Sequence, residues 1–268
     1  MNISSHLNRV SIDSYYENDI VCQLLDWYPY DEDKQDINSD LDLDDFEYTD
    51  TKDYVIRVFG KDEDGVSVSI KILGFTPYFY VEIPKKWTLV EVDFLLNVIK
   101  KKIGKKYKKS FDIRFIKRLK FRGFNNRKKF RFIKFIFKNG YVMRRCKYMF
   151  DKKIYIPELF IKTKFNLYES NISPFLRFIH SRNIKPAGWI LIRSGKYKQI
   201  LGSNKETRCQ IELTAQWKDI FPVDKDDIGP LIISSYDIEA DSSHGDFPLA
   251  KKTYQKLAYD IVYKLYDI

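Results

Sequence analysis

Two carboxylates, Asp237 and Glu239, stand two residues apart at the end of an apolar run that begins at Leu231. Side chains on a strand alternate between its two faces, so both carboxylates would point the same way while Ile238 points into the core. Two carboxylates on one strand face suit a divalent metal ion such as Mg²⁺, which prefers oxygen ligands. A complete metal site needs further ligands, and we expect none from the short stretch that follows.

A second chemical signal is a strongly basic segment. Residues 100–153 hold 23 Lys and Arg against 2 Asp and Glu, whereas residues 1–50 hold 2 Lys and Arg against 14 Asp and Glu. Such dense positive charge repels itself unless it faces a polyanion, and the interleaved aromatic residues favour nucleic acid over an ordinary solvated surface. We predict nucleic-acid contacts from Arg114, Lys117, Arg118, Lys120, Arg122, Arg127, Lys128, Lys129 and Arg131.

Residues 111–122 alternate between apolar and cationic side chains, which predicts a half-buried strand with one wet face. The apolar face would hold Ile113, Phe115, Leu119 and Phe121, and the cationic face would hold Arg114, Arg118, Lys120 and Arg122. Residues 130–138 predict a second strand, and Asn139-Gly140 predicts a tight hairpin turn after it.

A helix is predicted just upstream of this segment. Thr88 and Glu91 fit a capping box, apolar residues recur at helical spacing as far as Ile103, and Gly104 follows as a stop. The resulting order of strand, helix, strand and hairpin predicts a small α+β module of the RNA-recognition type.

The rest of the chain is predicted to be rich in β structure. Residues 53–83 predict three strands, of which Val66–Leu73 alternates as a strand with one wet face. Residues 31–50 are an acidic run of low complexity, predicted to be a solvated loop or a disordered insertion. Residues 223–230 predict a polar linker, and Leu249–Tyr266 predicts an amphipathic helix.

Bulk properties narrow the class of protein. No apolar run approaches the ~20 residues of a membrane span, and the first residues lack the features of a secretory signal. The three cysteines form no C-x-x-C pair, so neither a zinc site nor a disulfide framework is indicated. We expect a protein of a reducing compartment that is not secreted.

Several stretches together resemble the N-terminal part of family B, delta-like DNA polymerases, especially those of large eukaryotic DNA viruses. The stretches are Phe75-Thr-Pro-Tyr-Phe-Tyr-Val-Glu-Ile-Pro84, Tyr168-Glu-Ser-Asn-Ile172, Leu176-Arg-Phe178, Ile184-Lys-Pro-Ala-Gly-Trp189 and Ser235-Tyr-Asp-Ile-Glu239. The resemblance implies that Asp237 and Glu239 form the first motif of a 3′→5′ proofreading exonuclease with an RNase H-like fold. There they would hold Mg²⁺ ions that activate a water molecule and stabilise the leaving oxygen.

The resemblance also implies the domain organisation and the partners. Residues 1–225 would form the polymerase N-terminal domain, with an acidic insert at 31–50 and a basic submodule at 100–153, and residues 226–268 would begin the exonuclease domain. The expected fold is α+β: a mixed, β-rich domain with an RNA-recognition-like submodule, followed by the first strand and helix of the exonuclease. Further motifs of the exonuclease and the palm are absent, so we expect a monomeric piece that is inactive alone.

The implied partners are single-stranded template DNA, primer–template DNA in the parent enzyme, and a replication processivity factor. The implied location is the viral replication site of a host cell, either a cytoplasmic factory or the nucleus. Two other hypotheses remain. The chain could be a non-catalytic module that docks replication proteins, or a self-contained nuclease, which the lack of a nearby Glu-x-Lys disfavours.

Overall fold

The computed structural model describes residues 18–33, 52–121, 123–231, 233, 235–236 and 254–266. The described residues up to Leu231 form one compact unit, and a helix at its carboxyl side belongs to a second. The strands are β1 (Ile20–Asp33), β2 (Lys52–Lys61), β3 (Ser67–Leu73), β4 (Tyr78–Glu82), β5 (Phe111–Leu119), β6 (Lys129–Phe137), β7 (Ile154–Ile156), β8 (Ile161–Thr163), β9 (Leu167–Tyr168), β10 (Trp189–Ile192), β11 (Tyr197–Gln199), β12 (Ile211–Gln216) and β13 (Phe221–Val223). The helices are α1 (Leu89–Ile103), α2 (Gly140–Met149), α3 (Pro174–Arg182) and α4 (Gln255–Tyr266).

A seven-stranded sheet holds the first of two hydrophobic cores. Its strand order is β11-β12-β3-β2-β1-β10-β13, and every pair is antiparallel except β12 with β3. Aliphatic side chains of the central strands pack with Phe75 and with Phe178 of α3. The fold is therefore α+β and rich in strands.

The long strand β1 changes partner along its length. Its first residues pair with β10 and the rest pair with β2, with a register shift between Leu24 and Asp26. Gly60 faces β1 at this irregularity, where an added Cβ atom would lie 2.3 Å from the carbonyl oxygen of Gln23. Only glycine fits this close approach of the two backbones.

The basic segment belongs to a second sheet, of order β5-β6-β4-β9. The elements follow one another as β4, α1, β5, β6, α2 and, after the small β7–β8 hairpin, β9, and all three strand pairings are antiparallel. Both helices pack on one face of this sheet and enclose a core of phenylalanine and aliphatic side chains. Of the predicted order of strand, helix, strand and hairpin, the strands β4, β5 and β6 and the helix α1 are present, whereas α2 and β9 follow in place of the predicted hairpin.

The start of α1 is as predicted. The backbone N–H of Thr88 donates to Glu91 Oε2 at 2.7 Å, and the N–H of Val90 donates to the Thr88 hydroxyl at 3.2 Å. This is the capping box, and the helix ends before Gly104, whose φ of 101° few other residues adopt.

The hairpin predicted at Asn139-Gly140 is wrong. Asn139 is instead the N-cap of α2, and its side chain accepts a hydrogen bond from the N–H of Val142 at 2.9 Å. Asparagine suits both roles, because its short side chain bonds to nearby backbone groups in turns and at helix starts alike.

The wet face predicted for β3 is also wrong. Ser69 and Lys71 are buried, and both belong to a cluster of charged side chains centred on Arg57, which donates a hydrogen bond to the Ser69 hydroxyl. The Arg57 guanidinium donates to Glu212 at 3.1 Å and contacts Glu206, while Lys71 donates to Glu206 at 3.1 Å. Polar side chains on a strand can thus be enclosed when opposite charges from distant strands satisfy them.

The acidic run is not uniform either. Its first three residues, Asp31 to Asp33, belong to β1, and Glu32 pairs with Lys71 at 2.7 Å. Residues 34–50 lie outside the described residues.

Candidate nucleic-acid interface

The register of β5 on β6 divides the predicted cations between two faces of the second sheet. Arg114 pairs with Lys134 and Arg118 pairs with Phe130, whereas Lys117 pairs with Arg131. Because side chains alternate, Arg114 and Arg118 lie on the face away from α1 and α2. Lys117, Lys129 and Arg131 share the face of the buried residues that pack on the helices.

The face away from the helices combines cations with aromatic rings, and we call it the aromatic face. Phe132 is its most enclosed ring and contacts Tyr80 and Tyr168 at centroid distances of 6.4 and 5.2 Å. Arg114 and Arg118 are exposed at the β5 edge. The aromatic face consists of Tyr78, Tyr80, Phe130, Phe132 and Tyr168 together with Arg114, Arg118 and Lys134.

Lys134 lies at the centre of this face. Its amine is 3.5 Å from the centroid of the Tyr78 ring, and the buried Arg177 of α3 lies 3.9 Å from the same ring. Burial lowers the pKa of Lys134, as do the neighbouring charges of Arg114, Arg177 and Arg118, and the opposing influence of Tyr78 does not restore it. Burial is the main cause of the lowered pKa, and the three arginines add positive charge around Lys134 that an anion would neutralise.

Lys120 is placed differently from the other predicted cations. Its amine donates to Glu82 Oε1 at 2.6 Å and lies over the ring of Phe130, 4.2 Å from its centroid. Glu82 also accepts hydrogen bonds from Tyr168 at 3.1 Å and Asn166 at 3.4 Å. Burial alone would raise the pKa of Glu82, but these three donors lower it overall, so the carboxylate holds Lys120 in its charged form.

The remaining predicted cations lie at or beyond the strand ends. Arg127 and Lys128 are in the β5–β6 turn, where Asn126 and Arg127 have positive φ angles of 43° and 55°. Arg131 donates to the carbonyl oxygen of Trp87 at 2.6 Å, which ties β6 to the start of α1. Arg122 lies outside the described residues. Phe121 and Phe124, in the loop between β5 and β6, are fully exposed.

The sequence prediction found cations but missed most of the aromatic half of this face. Tyr78 and Tyr80 come from β4, Phe132 and Lys134 from β6 and Tyr168 from β9. A period of two along Tyr78-Phe79-Tyr80-Val81 and Phe132-Ile133-Lys134 was visible, but the sheet order that brings these strands together was not.

The predicted metal ligands Asp237 and Glu239 lie outside the described residues. Among the residues that the structure does describe, no three His, Cys, Asp or Glu side chains are grouped so as to hold a metal ion. The predicted amphipathic helix is present as α4, whose apolar residues Leu257, Ile261 and Leu265 are exposed. None of the described helices is both long and apolar enough to cross a membrane.

Comparison with known proteins identifies the family. Residues 165–261 match the model of the family B DNA polymerase exonuclease domain. The chain is 34% identical over 97% of its length to a DNA polymerase of Pyramimonas orientalis virus, and 36% identical over 80% to that of Phaeocystis pouchetii virus. It is also 34% identical over 76% of its length to the DNA polymerase of Acanthamoeba polyphaga mimivirus.

These matches cover 20%, 22% and 12% of the three viral polymerases, so the chain spans about a fifth of their length or less. The similarity extends over nearly the whole chain and includes the stretches at 75–84, 168–189 and 235–239 that first indicated the family. The chain therefore belongs to the viral family B DNA polymerases and includes part of their exonuclease domain.

Proposed function

We propose that this chain is the N-terminal region of a replicative viral DNA polymerase with a proofreading 3′→5′ exonuclease, and that its aromatic face binds the single-stranded template. The relatives that it matches are named DNA polymerases, and the match to the exonuclease model begins within the described unit, at residue 165. Residues 1–225 would brace the enzyme, and residues 226–268 would begin the exonuclease domain.

The observation that carries template binding is the pairing of unneutralised cations with ring surfaces. Among the described residues, Arg114, Arg118 and Lys134 form no ion pair with a carboxylate. Single strands bind to such surfaces because phosphates meet the cations while bases stack on the rings, each stack contributing roughly 1–3 kcal/mol. Neither interaction requires a particular base, so the proposed binding is independent of sequence.

The topology supports the same proposal. The second sheet has the β-α-β-β-α-β order of ferredoxin-like modules, and RNA-recognition domains of that order bind single strands on the sheet face away from the helices. Here Tyr78 and Tyr80 of β4 and Phe132 of β6 occupy that face. We infer that the module serves single-stranded DNA in the polymerase.

The binding proposal is tested with the 268-residue chain and a labelled oligo-dT. We expect the affinity to fall steeply as salt rises from about 50 to 200 mM, because phosphate contacts release counterions. Duplex DNA of equal charge should bind less tightly, since its bases are not free to stack. An affinity that does not change with salt would contradict the proposal.

The exonuclease part of the proposal concerns Asp237 and Glu239. Their carboxylates, spaced i and i+2, are donors suited to Mg²⁺, which would supply an activated water and charge stabilisation when bound. In a polymerase that carries this chain, Asp237→Ala with Glu239→Ala should abolish 3′→5′ degradation and leave primer extension largely intact. Retained degradation in the double mutant would exclude these residues as ligands.

A second function, docking of a replication protein such as a processivity factor, is favoured by one feature. Phe121 and Phe124 are fully exposed in the β5–β6 turn, and Phe115 and Leu119 of β5 are half-exposed. Exposed apolar groups of this kind mark contact sites for proteins. The replacement of Phe121 and Phe124 by serine should leave oligonucleotide binding unchanged if the turn serves a protein partner, and should weaken it if the turn serves DNA.

A further inference from the structure

A groove of about 700 Å³ runs along the second sheet beside β9. It is bordered by the end of β5, the β5–β6 turn, the end of α2 and the loop that follows β9. The side chains that decide its chemistry are Lys120, Phe130, Lys147, Lys164 and Tyr168, together with one carboxylate, Asp151.

Two rings form one wall of the groove. Phe130 and Tyr168 belong to the aromatic face, so the groove continues that face around the β9 edge of the sheet. The Lys120 amine lies over both rings, 4.2 Å from the centroid of Phe130 and 5.5 Å from that of Tyr168. Cations held over ring faces occupy the position that a stacked base would take.

The opposite wall supplies a cation with no opposing charge. The Lys147 amine donates to the amide oxygen of Asn171 at 2.6 Å and, within the described part of the chain, pairs with no carboxylate. Lys164 is committed to the backbone, because its amine binds the carbonyl oxygens of Phe150, at 2.7 Å, and Asp151 at the end of α2. Lys147 is therefore the cation of this groove most available to a phosphate.

Glu82 controls the other available cation. It holds Lys120 over the rings through the 2.6 Å ion pair, and Tyr168 and Asn166 orient its carboxylate. A phosphate arriving in the groove would compete with Glu82 for Lys120, since both partners are oxygen anions. The amine would then leave the ring faces free for a base.

We propose that this groove is a subsite for one nucleotide of a bound single strand, with its phosphate at Lys147 and Lys120 and its base on Tyr168 and Phe130. The proposal rests on the template binding proposed above and extends it past the β9 edge. It makes Glu82 an internal competitor of the DNA phosphate, so the carboxylate should weaken binding by more than its charge alone would.

The test measures binding of labelled oligo-dT to the 268-residue chain and to four variants. Lys147→Ala should weaken binding several-fold and lower the slope of log affinity against log salt by about one. Its control, Lys101→Ala, removes an exposed lysine from the end of α1. Glu82→Gln should strengthen binding several-fold, and its control, Asp93→Asn, removes an exposed carboxylate from α1.

The outcomes separate the two proposals. If the unaltered chain binds no oligonucleotide, both template binding and the subsite are excluded. If it binds, the change in affinity caused by Lys147→Ala is compared with that caused by Lys101→Ala, and the change caused by Glu82→Gln with that caused by Asp93→Asn. Equal changes within both pairs would show that only net charge matters, which would exclude the subsite and leave template binding standing. Larger effects at Lys147 and Glu82 than at their controls support the subsite.

Discussion

The carboxylate of Asp31 caps the first turn of α2 from the other sheet. Its Oδ1 atom accepts a hydrogen bond from the N–H of Gly140 at 2.7 Å, and its Oδ2 atom accepts one from Tyr141 at 2.9 Å. An added Cβ atom on Gly140 would lie 3.4 Å from Asp31 Oδ1, an ordinary van der Waals contact, so the carboxylate approaches the helix start closely without requiring glycine there. A strand of the first sheet thus satisfies the free N–H groups of a helix that covers the second.

Asp31→Ala should destabilise the chain by about 1–2 kcal/mol, the usual effect of removing a side chain that accepts hydrogen bonds from the first N–H groups of a helix. Asp33→Ala is the matched control, since Asp33 ends the same strand and makes an exposed pair with Lys52 at 3.4 Å, which contributes little. Urea unfolding of both variants measures the difference in free energy of unfolding. Equal losses at the two positions would show that Asp31 acts only as a surface charge.

This contact also explains where sequence reasoning failed. Asn139-Gly140 carries a strong local hairpin signal, but the N–H groups that decide the outcome are satisfied by Asp31, more than a hundred residues away. Likewise, nothing near Ser69 or Lys71 announces the burial that Arg57 and Glu212 make possible. Interactions between distant segments override local propensity in both cases.

The prediction of α1 depended only on neighbours in sequence and was confirmed. The capping box at Thr88 and the stop at Gly104 are local, so α1 has the predicted bounds. For the candidate site, local alternation correctly separated Arg114 and Arg118 from the apolar side of β5. It could not supply Tyr78 or Tyr168, because their place beside these arginines depends on the order of strands in the sheet.

The buried Glu212 should make stability depend on pH. Burial alone would raise the pKa of this carboxyl, but hydrogen bonds from Thr207, Glu206 and Arg57 lower it overall. A carboxyl group whose pKa is lower in the folded chain than in the unfolded chain stabilises the fold at pH values above its unfolded-state pKa. This contribution is lost as the pH falls through the folded-state pKa. Stability from Glu212 should therefore be complete near pH 7 and decline below about pH 4.

Glu212→Gln tests this dependence. At pH 7 it should lower the free energy of unfolding by roughly 3 kcal/mol, because the buried Arg57 loses one of its two carboxylate partners and keeps only Glu206. The gap from the unaltered chain should narrow as pH falls. Glu63→Gln, which breaks an exposed pair with Lys225, should cost under about 1 kcal/mol. A gap for Glu212→Gln that stays constant from pH 7 to pH 3 would contradict the assignment.

The three cysteines should react at very different rates. Burial, with a smaller contribution from the charge of Asp62, raises the pKa of Cys22 to about 12, and burial also raises that of Cys146. Cys209 is partly exposed. Because the thiolate is the nucleophile, an alkylating reagent at pH 8 should label Cys209 alone in the folded chain and all three in denaturant. Labelling of Cys22 or Cys146 at the rate of Cys209 would show that these cores open readily.

Charge reversal on one face of the β5–β6 hairpin, compared with charge reversal on the other, tests most directly whether the aromatic face binds single-stranded nucleic acid. Arg114→Glu with Arg118→Glu reverses two charges on the aromatic face. Lys117→Glu with Lys129→Glu reverses two exposed charges on the opposite face of the same strands, so net charge changes equally. Oligo-dT binding by the 268-residue chain is then compared at one salt concentration.

We expect the first pair of substitutions to weaken oligo-dT binding at least tenfold more than the second pair, because only the first removes phosphate partners beside the rings of Tyr78 and Phe132. Equal weakening by the two pairs would contradict this expectation, since the basic segment would then act as a diffuse charge with no binding face.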